Sequence, residues 1–471
     1  MPSRQQQLTA YQSAMRRVQS AFVAGDADAL SPRRTYLLLA GVFVTAIIAA
    51  GVAVYGLTGA AVPTWRDESV LVIDRDTGSR YVYRAQLLRP VINYASARLI
   101  LGDASVDTRR IPHRVLVEAA IGPPIGILGA PDEVPTADRL RALPWTVCRS
   151  STGGGHTTST AIIGTPVLPS AAPLAGGLLA AAGPSEGYLL WEGRRLRYDR
   201  SDAAVLAALG FAGITPVSVP QTFVDALPEG PALAAPAIPG AGSAGPRVGG
   251  ENAPIGQLFQ LSGEQEYYVL LGDGLARVAE PTYRLLRLRG TPGSEPRTIT
   301  AAAVTLLSQT SLLPVGLPAT MPEIARPADP DTAVVCAEHR ESGDAQTSTT
   351  VRLLESLPAA VRPPPSGRPA ARGTVDGAVI PEGRGALVRA ANGDEIWLVD
   401  NQGVRYRVID RASLHALGLG EAAVVSVAPG LIDALPRGPD LSRAAATETV
   451  SVQGIGGDPN PSPTPSAEVG R

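Results

Sequence analysis

Residues Tyr36 to Leu57 read YLLLAGVFVTAIIAAGVAVYGL, 22 positions without a charge, and no other stretch restricts the chain as much. A helix rises about 1.5 Å per residue and a hydrocarbon core of about 30 Å takes roughly 20 apolar residues, so this run is long enough to cross a bilayer. A cleavable signal peptide has a shorter apolar core, of roughly 7–15 residues, behind a short basic leader. Here more than thirty residues precede the run, and the reading is a retained signal anchor. Arg4, Arg16, Arg17, Arg33 and Arg34 stand before it against Asp26 and Asp28, whereas the segment after it (Arg66, Asp67, Glu68, Asp74, Arg75, Asp76) is balanced. Positive flanks stay inside, which predicts a cytoplasmic N-terminus and an external remainder from about Ala60.

That remainder exceeds 400 residues, more than one ordinary domain. Of the 41 basic residues five precede the span, and of the 43 acidic ones two do, which leaves the external part at a formal charge of −5. Such a balance gives nucleic acid no electrostatic footing. Every basic residue is arginine. Without lysine there is no Walker A loop, because that loop needs a lysine to reach the β- and γ-phosphates.

Ahead of the span, Leu8, Tyr11, Met15, Val18 and Phe22 recur at steps of three and four, one apolar stripe on a helix. The stripe suits a helix lying on the inner membrane surface and equally a helix docked on a partner's cytoplasmic domain.

Beyond the span the chain repeats itself. A constant offset of 208 lays Tyr188–Leu233 on Ile396–Leu441 without a gap, pairing Arg197 with Arg405, Tyr198 with Tyr406, Leu206 with Leu414, Asp225 with Asp433 and Leu227–Pro228 with Leu435–Pro436. Each unit has β-rich runs around a polar turn (Glu192–Gly193, Asp400–Gly403), a helical stretch ending at Leu-Gly and a second short helix stopped by proline. Less regular copies begin at Val70 and at Tyr267. A second duplication lies between them: Trp145–Ile163 and Ala333–Leu353 each read as a strand ending in Cys, a Gly- and polar-rich turn and a Thr-rich strand.

The fold class expected is α+β: a single N-terminal transmembrane helix, then a pseudo-twofold, multi-lobed external region with a β-rich core and four small α+β repeat modules. The expected boundaries are a cytoplasmic helix and basic flank at 1–34, the transmembrane helix at 35–58, modules at 66–131, 176–233, 255–320 and 384–441, core hairpins at 140–165 and 331–355, and a disordered tail at 442–471. Glu229–Gly250 and Val361–Gly373, rich in Pro, Gly and Ala, read as linkers.

Cys148 and Cys336 are the only thiols and occupy corresponding places in the two hairpins. An oxidising compartment favours a bridge between them. The rival is a Cys2His2 zinc site with His156 and His339, although the eight-residue step from Cys148 to His156 fits no common zinc pair.

Two motifs suggest catalysis. Gly183-Pro-Ser185-Glu-Gly187 matches the nucleophile-elbow pattern, but its counterparts near Gly263 and Gly393 require no serine and all three read as hairpin turns, not strand-to-helix turns. Gly240-Ala-Gly242-Ser-Ala-Gly245 matches G-x-G-x-x-G inside a Pro-rich stretch, where it reads as a flexible joint. The four histidines, His113, His156, His339 and His415, are scattered, and neither a catalytic group nor a cofactor or metal site is expected.

Taken together, the block Arg4–Val23 before an early single span, Arg89–Gly102 (RPVINYASARLILG), the run Pro124–Pro131, the paired cysteines and the LP-x-GP module ends resemble the EccB family of actinobacterial type VII (ESX) secretion systems. The resemblance covers nearly the whole chain. It implies a structural membrane subunit whose four repeat domains lie in the periplasm around a β core with one disulfide. It further implies self-association in a multimeric complex with EccC, EccD and EccE subunits, and a MycP-type protease docking outside. Family members are credited with ATPase activity, for which no Walker A loop or acid/base cluster is present here. The alternative function is a cell-wall anchor whose modules bind peptidoglycan.

Overall fold

The computed structural model describes residues 3–24, 32–58, 65–103, 105–151, 156–166, 172–290, 295–305, 309–311, 317–342, 346–361 and 372–450. Two helices open the chain, α1 (Arg4–Ala24) and α2 (Pro32–Thr58). The side chains of α2 are described over 36–52, and among the described residues no helix is long and apolar enough to cross a membrane; the helical backbone of α2 itself continues to Thr58.

A mixed sheet follows, built from β1 (Val70–Asp74), β2 (Arg80–Arg84), β3 (Leu87–Pro90) and, after α3 (Tyr94–Leu101), β4 (Asp107–Ile111). The order is β3-β2-β1-β4, three antiparallel strands and one parallel return. The residue types explain the helix between them. Asn93 Oδ1 accepts the Ser96 N–H and satisfies one of the free donors at the start of α3, and Gly102, at φ 75°, ends it in a conformation costly for a side chain. The short helix α4 (His113–Leu116) closes the unit.

Then come the hairpin β5 (Trp145–Ser151) and β6 (Thr157–Ile163), and a second sheet of β7 (Gly177–Ala181), β8 (Glu186–Trp191), β9 (Arg194–Asp199) and β10 (Val217–Ser218), with α5 (Ala203–Leu209) before β10 and α6 (Gln221–Asp225) after it. The third sheet holds β11 (Leu258–Leu261), β12 (Tyr267–Leu271), β13 (Gly274–Val278), β14 (Arg297–Ile299) and β15 (Gln309–Ser311), with α7 (Glu280–Leu288) and α8 (Ala301–Thr305). A second long hairpin, β16 (Val334–Ser342) and β17 (Gln346–Leu354), and the short β18 (Gly377–Val379) lead to the fourth sheet: β19 (Ala386–Ala390), β20 (Ile396–Val399), β21 (Arg405–Val408) and β22 (Val425–Val427). With it go α9 (Arg411–Ala416), α10 (Pro429–Asp433) and α11 (Arg443–Ala446). The second and fourth sheets have the orders β10-β7-β8-β9 and β21-β20-β19-β22, again a meander with one parallel return.

The two hairpins merge into one central sheet, β17-β16-β5-β6-β18, in which β5 and β16 run antiparallel side by side. One face, with Trp145, Val147, Val335 and Ala337, is covered by Leu178 and Leu190 of the second sheet, Val388 and Val399 of the fourth, and α6 and α10. α6 and α10 touch so closely that a Cβ on Gly430 would stand against the Asp225 carbonyl oxygen. The other lobes cross over in sequence: α3 packs on α9, so the first sheet joins the fourth, and α5 packs on α7, so the second joins the third.

Two segments depart from expectation. Glu229–Gly250 is packed, not loose: Leu233 is buried beside Leu196 and Tyr198, Val248 lies in the core of the third sheet, and the Gly242 N–H donates to the Ile255 carbonyl at 2.9 Å. A composition rich in Pro and Gly signals turns, but here the turns fold back on 251–256 and bury their few aliphatic side chains. The region expected as a tail from 442 is ordered as far as 450: Ser442 caps α11, Ala446 is buried, and the Val450 N–H donates to the Pro124 carbonyl at 2.9 Å. Positions 362–371, the greater part of the other predicted linker, and 451–471 lie outside the described residues.

Candidate functional sites

The stripe on α1 is the most exposed apolar feature outside α2. At 100° per residue, Leu8, Tyr11, Met15, Val18 and Phe22 fall within an arc of about 80°. Their exposures run from 47% to 91%, and nothing among the described residues covers them. Leaving one such side chain in water costs roughly 1.5–3 kcal/mol relative to burying it, and five of them share this face.

Cys148 and Cys336 are bonded, with Sγ–Sγ 2.06 Å and Cα–Cα 4.1 Å, and both are fully buried. They are direct cross-strand partners in the β5–β16 ladder, so the bond joins the two hairpins where they meet. Spending both thiols on the bridge removes the zinc alternative, since thiolate is the ligand zinc would need. His339 is buried on β16, its Nδ1 2.9 Å from Thr349 Oγ1, and burial pushes its pKa down to about 4. No group of three His, Cys, Asp or Glu is placed to hold a metal among the described residues.

Ser185 sits in the turn between β7 and β8, and its carbonyl accepts the Arg200 N–H at 3.1 Å. The turn joins two strands, so the elbow geometry is missing. Gly240–Gly245 belongs to the packed segment described above and precedes no helix. His415 is exposed on α9, and His156 stands just before β6.

Sequence reasoning missed three buried polar groups. The Arg149 side chain donates to the carbonyls of Ser218 (2.8 Å), Asp331 (2.7 Å) and Ala333, which pins β10 and the approach to β16 onto β5; burial lowers its pKa. Glu338, fully buried, takes Arg340 at 2.7 Å and Arg352 at 3.3 Å. Asp74, at the end of β1, lies 2.7 Å from His113 Nδ1. Burial works to raise the Asp74 pKa, but the Asp76 N–H, His113 and Thr77 outweigh it and bring it down to about 2. The partners of Arg149 are backbone carbonyls far along the chain, and no residue pattern announces them. His113–Asp74 joins residues at two strand ends and ties the start of α4 to the β1–β2 turn, a structural pairing.

The comparisons with known proteins agree with one another. The family model described as type VII secretion system ESX-1, transport TM domain B, matches residues 1–452. The chain is 30% identical to the ESX-1 secretion system ATPase EccB1 of Mycolicibacterium smegmatis over an alignment of 492 positions, gaps included, covering 98% of each chain. It is also 30% identical to the ESX-2 secretion system ATPase EccB2 of Mycobacterium tuberculosis, covering 80% of this chain and 81% of that one. Among solved structures it is similar to a chain of an intact ESX-5 inner membrane complex, with TM-score 0.61, 26% identity, and coverage of 100% of this chain and 98% of that chain. It is similar also to the EccB3 dimer from the ESX-3 core complex, with TM-score 0.62, 25% identity, and coverage of 80% of this chain and 100% of that chain. A family match over residues 1–452, with 30% identity along 98% of a relative, leaves one conclusion: the chain belongs to the EccB family of type VII secretion systems.

Proposed function

We propose that this chain is a structural membrane subunit of a type VII secretion complex, held by α2 as a single span, with α1 in the cytoplasm and residues 65–450 in the periplasmic assembly. The observation that carries this reading is the likeness along 100% of the chain to a chain of the ESX-5 inner membrane complex. A second structure, the periplasmic assembly of that complex, matches 83% of this chain and supports the external placement. The span is supported by the 27-residue helical backbone of α2, the exposed apolar side chains from Tyr36 to Val52 and the arginine-rich flank. Partners of the EccC, EccD and EccE type, further copies of the chain and a MycP-type protease follow from that placement. The stripe Leu8, Tyr11, Met15, Val18 and Phe22 serves as the cytoplasmic contact.

The external region is read as four copies of one module, at 66–131, 176–233, 255–320 and 384–441, around the two core hairpins. Helices α6 and α10 are 208 residues apart and touch each other, as equivalent elements on a twofold axis must. The same axis converts the α3–α9 contact into the α7–α5 contact. ATP turnover is not assigned to this chain: its relatives carry the name ATPase, but a sequence without lysine offers no Walker A loop. The test is tag purification after detergent extraction from cells holding the whole system. An EccC-type motor should co-purify, and recovery of the chain alone from intact membranes overturns the scaffold.

A further inference from the structure

Where the β2–β3 hairpin, the end of α3 and α11 meet there is a pocket of about 470 Å3. Its lining includes three arginines, Arg84, Arg89 and Arg443, and no acidic residue. Strand register accounts for two of them. Arg84 pairs with Leu87 and Val82 with Arg89, so both arginines stand on the same face as Val82, the face that packs toward α3. The third arrives from the far end of the chain. α11 lies on α3 and sets the Arg443 guanidinium so close to Gly102 that a Cβ built there would be 2.9 Å from Nη2. Leu99, Ile100 and Ile125, all buried, form the packed floor beneath the cations.

Arg84 has partners of its own, the Ile100 carbonyl at 3.0 Å and Glu68 at 3.4 Å. Arg89 and Arg443 make no hydrogen bond or ion pair among the described residues. The pocket thus gathers three cationic side chains of which only Arg84 has an acidic partner among the described residues, and a bound anion would offset their mutual repulsion. The hairpin turn beside it is strained: Ala85 (φ 51°) and Gln86 (φ 64°) both occupy the left-handed region, where a two-residue turn ordinarily uses Asn-Gly. Ala85 itself lines the pocket. Strain of this kind persists where surrounding contacts enforce it, and it concentrates at ligand sites.

We propose that this pocket binds a phosphate-bearing anion, its oxygens taken by the forks of Arg89 and Arg443 with Arg84 behind them. A soluble phosphate ester and an anionic phospholipid headgroup share this chemistry. The lipid source rests on α2 as a span: residues 59–64 separate Thr58 from Trp65, a tether of at most ~25 Å, which keeps the first sheet near the membrane surface. The soluble source does not depend on that reading.

The test uses the full chain in detergent. Glycerol 3-phosphate is titrated by calorimetry, and retention of phosphatidylglycerol against phosphatidylcholine is read by native mass spectrometry. One saturable site per chain is expected for at least one probe, weakening steeply with added NaCl and at least about tenfold in the Arg89→Gln/Arg443→Gln variant. Arg443→Lys, which keeps the charge and loses the fork, should fall between. Arg443 is exposed, so Arg443→Gln alone is the check that loss of binding is not loss of folding, with the thermal midpoint unchanged. Binding of glycerol 3-phosphate without lipid preference assigns the soluble source; selective retention of phosphatidylglycerol assigns the membrane. If neither probe binds, or if the double variant binds as wild type does, the proposal is wrong. A mistaken topology for α2 leaves the glycerol 3-phosphate result standing.

Discussion

Removing the Cys148–Cys336 bond should release the largest single constraint on the unfolded chain. The two residues are 188 apart in sequence. In the chain-entropy argument, closing a loop of that length takes about 18 cal/mol/K from the unfolded ensemble, on the order of 5 kcal/mol at 25 °C. The native state changes little when the sulfurs go: β5 and β16 remain paired from Arg149–Val335 to Trp145–His339, and Ile162, Val334, Leu357 and Val361 surround the gap. The assay is urea unfolding of the detergent-solubilised full chain followed by tryptophan fluorescence, Trp145 being fully buried in the central sheet. The Cys148→Ala/Cys336→Ala variant is compared with wild type, without reductant. With a slope near ~3 kcal/mol/M, the midpoint should fall by roughly 1.5 M, and the slope itself should rise because the unlinked chain exposes more surface when unfolded. A midpoint lowered by less than about 0.3 M, with an unchanged slope, refutes the reasoning. It would mean that contacts between the lobes persist in the unfolded state and do the bridge's work.

The remaining predictions concern topology, docking, packing and pH. A reporter active only outside the cytoplasmic membrane should work when fused after Gly454 and be silent when fused before Arg33; the reverse result contradicts the orientation of α2. Tyr11→Glu with Val18→Glu should detach the chain from the assembly while leaving it in the membrane, and full assembly by the double variant favours a helix that merely lies on the bilayer. Gly430→Ala should destabilise the chain by about 2 kcal/mol or more, read as a lowered thermal midpoint, since its Cβ meets the backbone of Asp225 between α10 and α6; wild-type stability would show that the two helices can part freely. His339 is neutral in the folded state down to about pH 4 because of its burial, against an ordinary pKa of 6.5. Its contribution is therefore intact above pH 6.5 and lost as pH falls toward 4, so stability relative to His339→Gln should drop by about 3 kcal/mol between pH 7 and pH 4. A pH-independent difference between the two proteins would show that His339 is solvated.

Signals confined to neighbouring residues were legible in the sequence. The α1 stripe is a period, and a period is visible before any fold exists. Glu192–Gly193 reads as a turn, and both residues take positive φ (45° and 71°) between β8 and β9. Composition misled where it stood in for contacts: Glu229–Gly250 has a linker's residues but closes on 251–256 through paired backbone hydrogen bonds. The region from 442 looks like a tail until α11 meets α3.

By itself, then, the sequence determined the apolar stripe of α1 and the internal repeat with its hairpin turns, and it set the two cysteines either in a bridge or in a zinc site with His156 and His339. Only the tertiary structure decided that β5 and β16 lie side by side in one sheet, that Arg149 holds carbonyls from Ser218 and Asp331, and that Arg443 joins Arg84 and Arg89 around one pocket. The reason is physical: caps, turns and periodicity are energies of adjacent residues, whereas these contacts depend on backbone atoms and faces that any apolar lobe of similar shape could have offered, and they are chosen only when all the lobes pack at once.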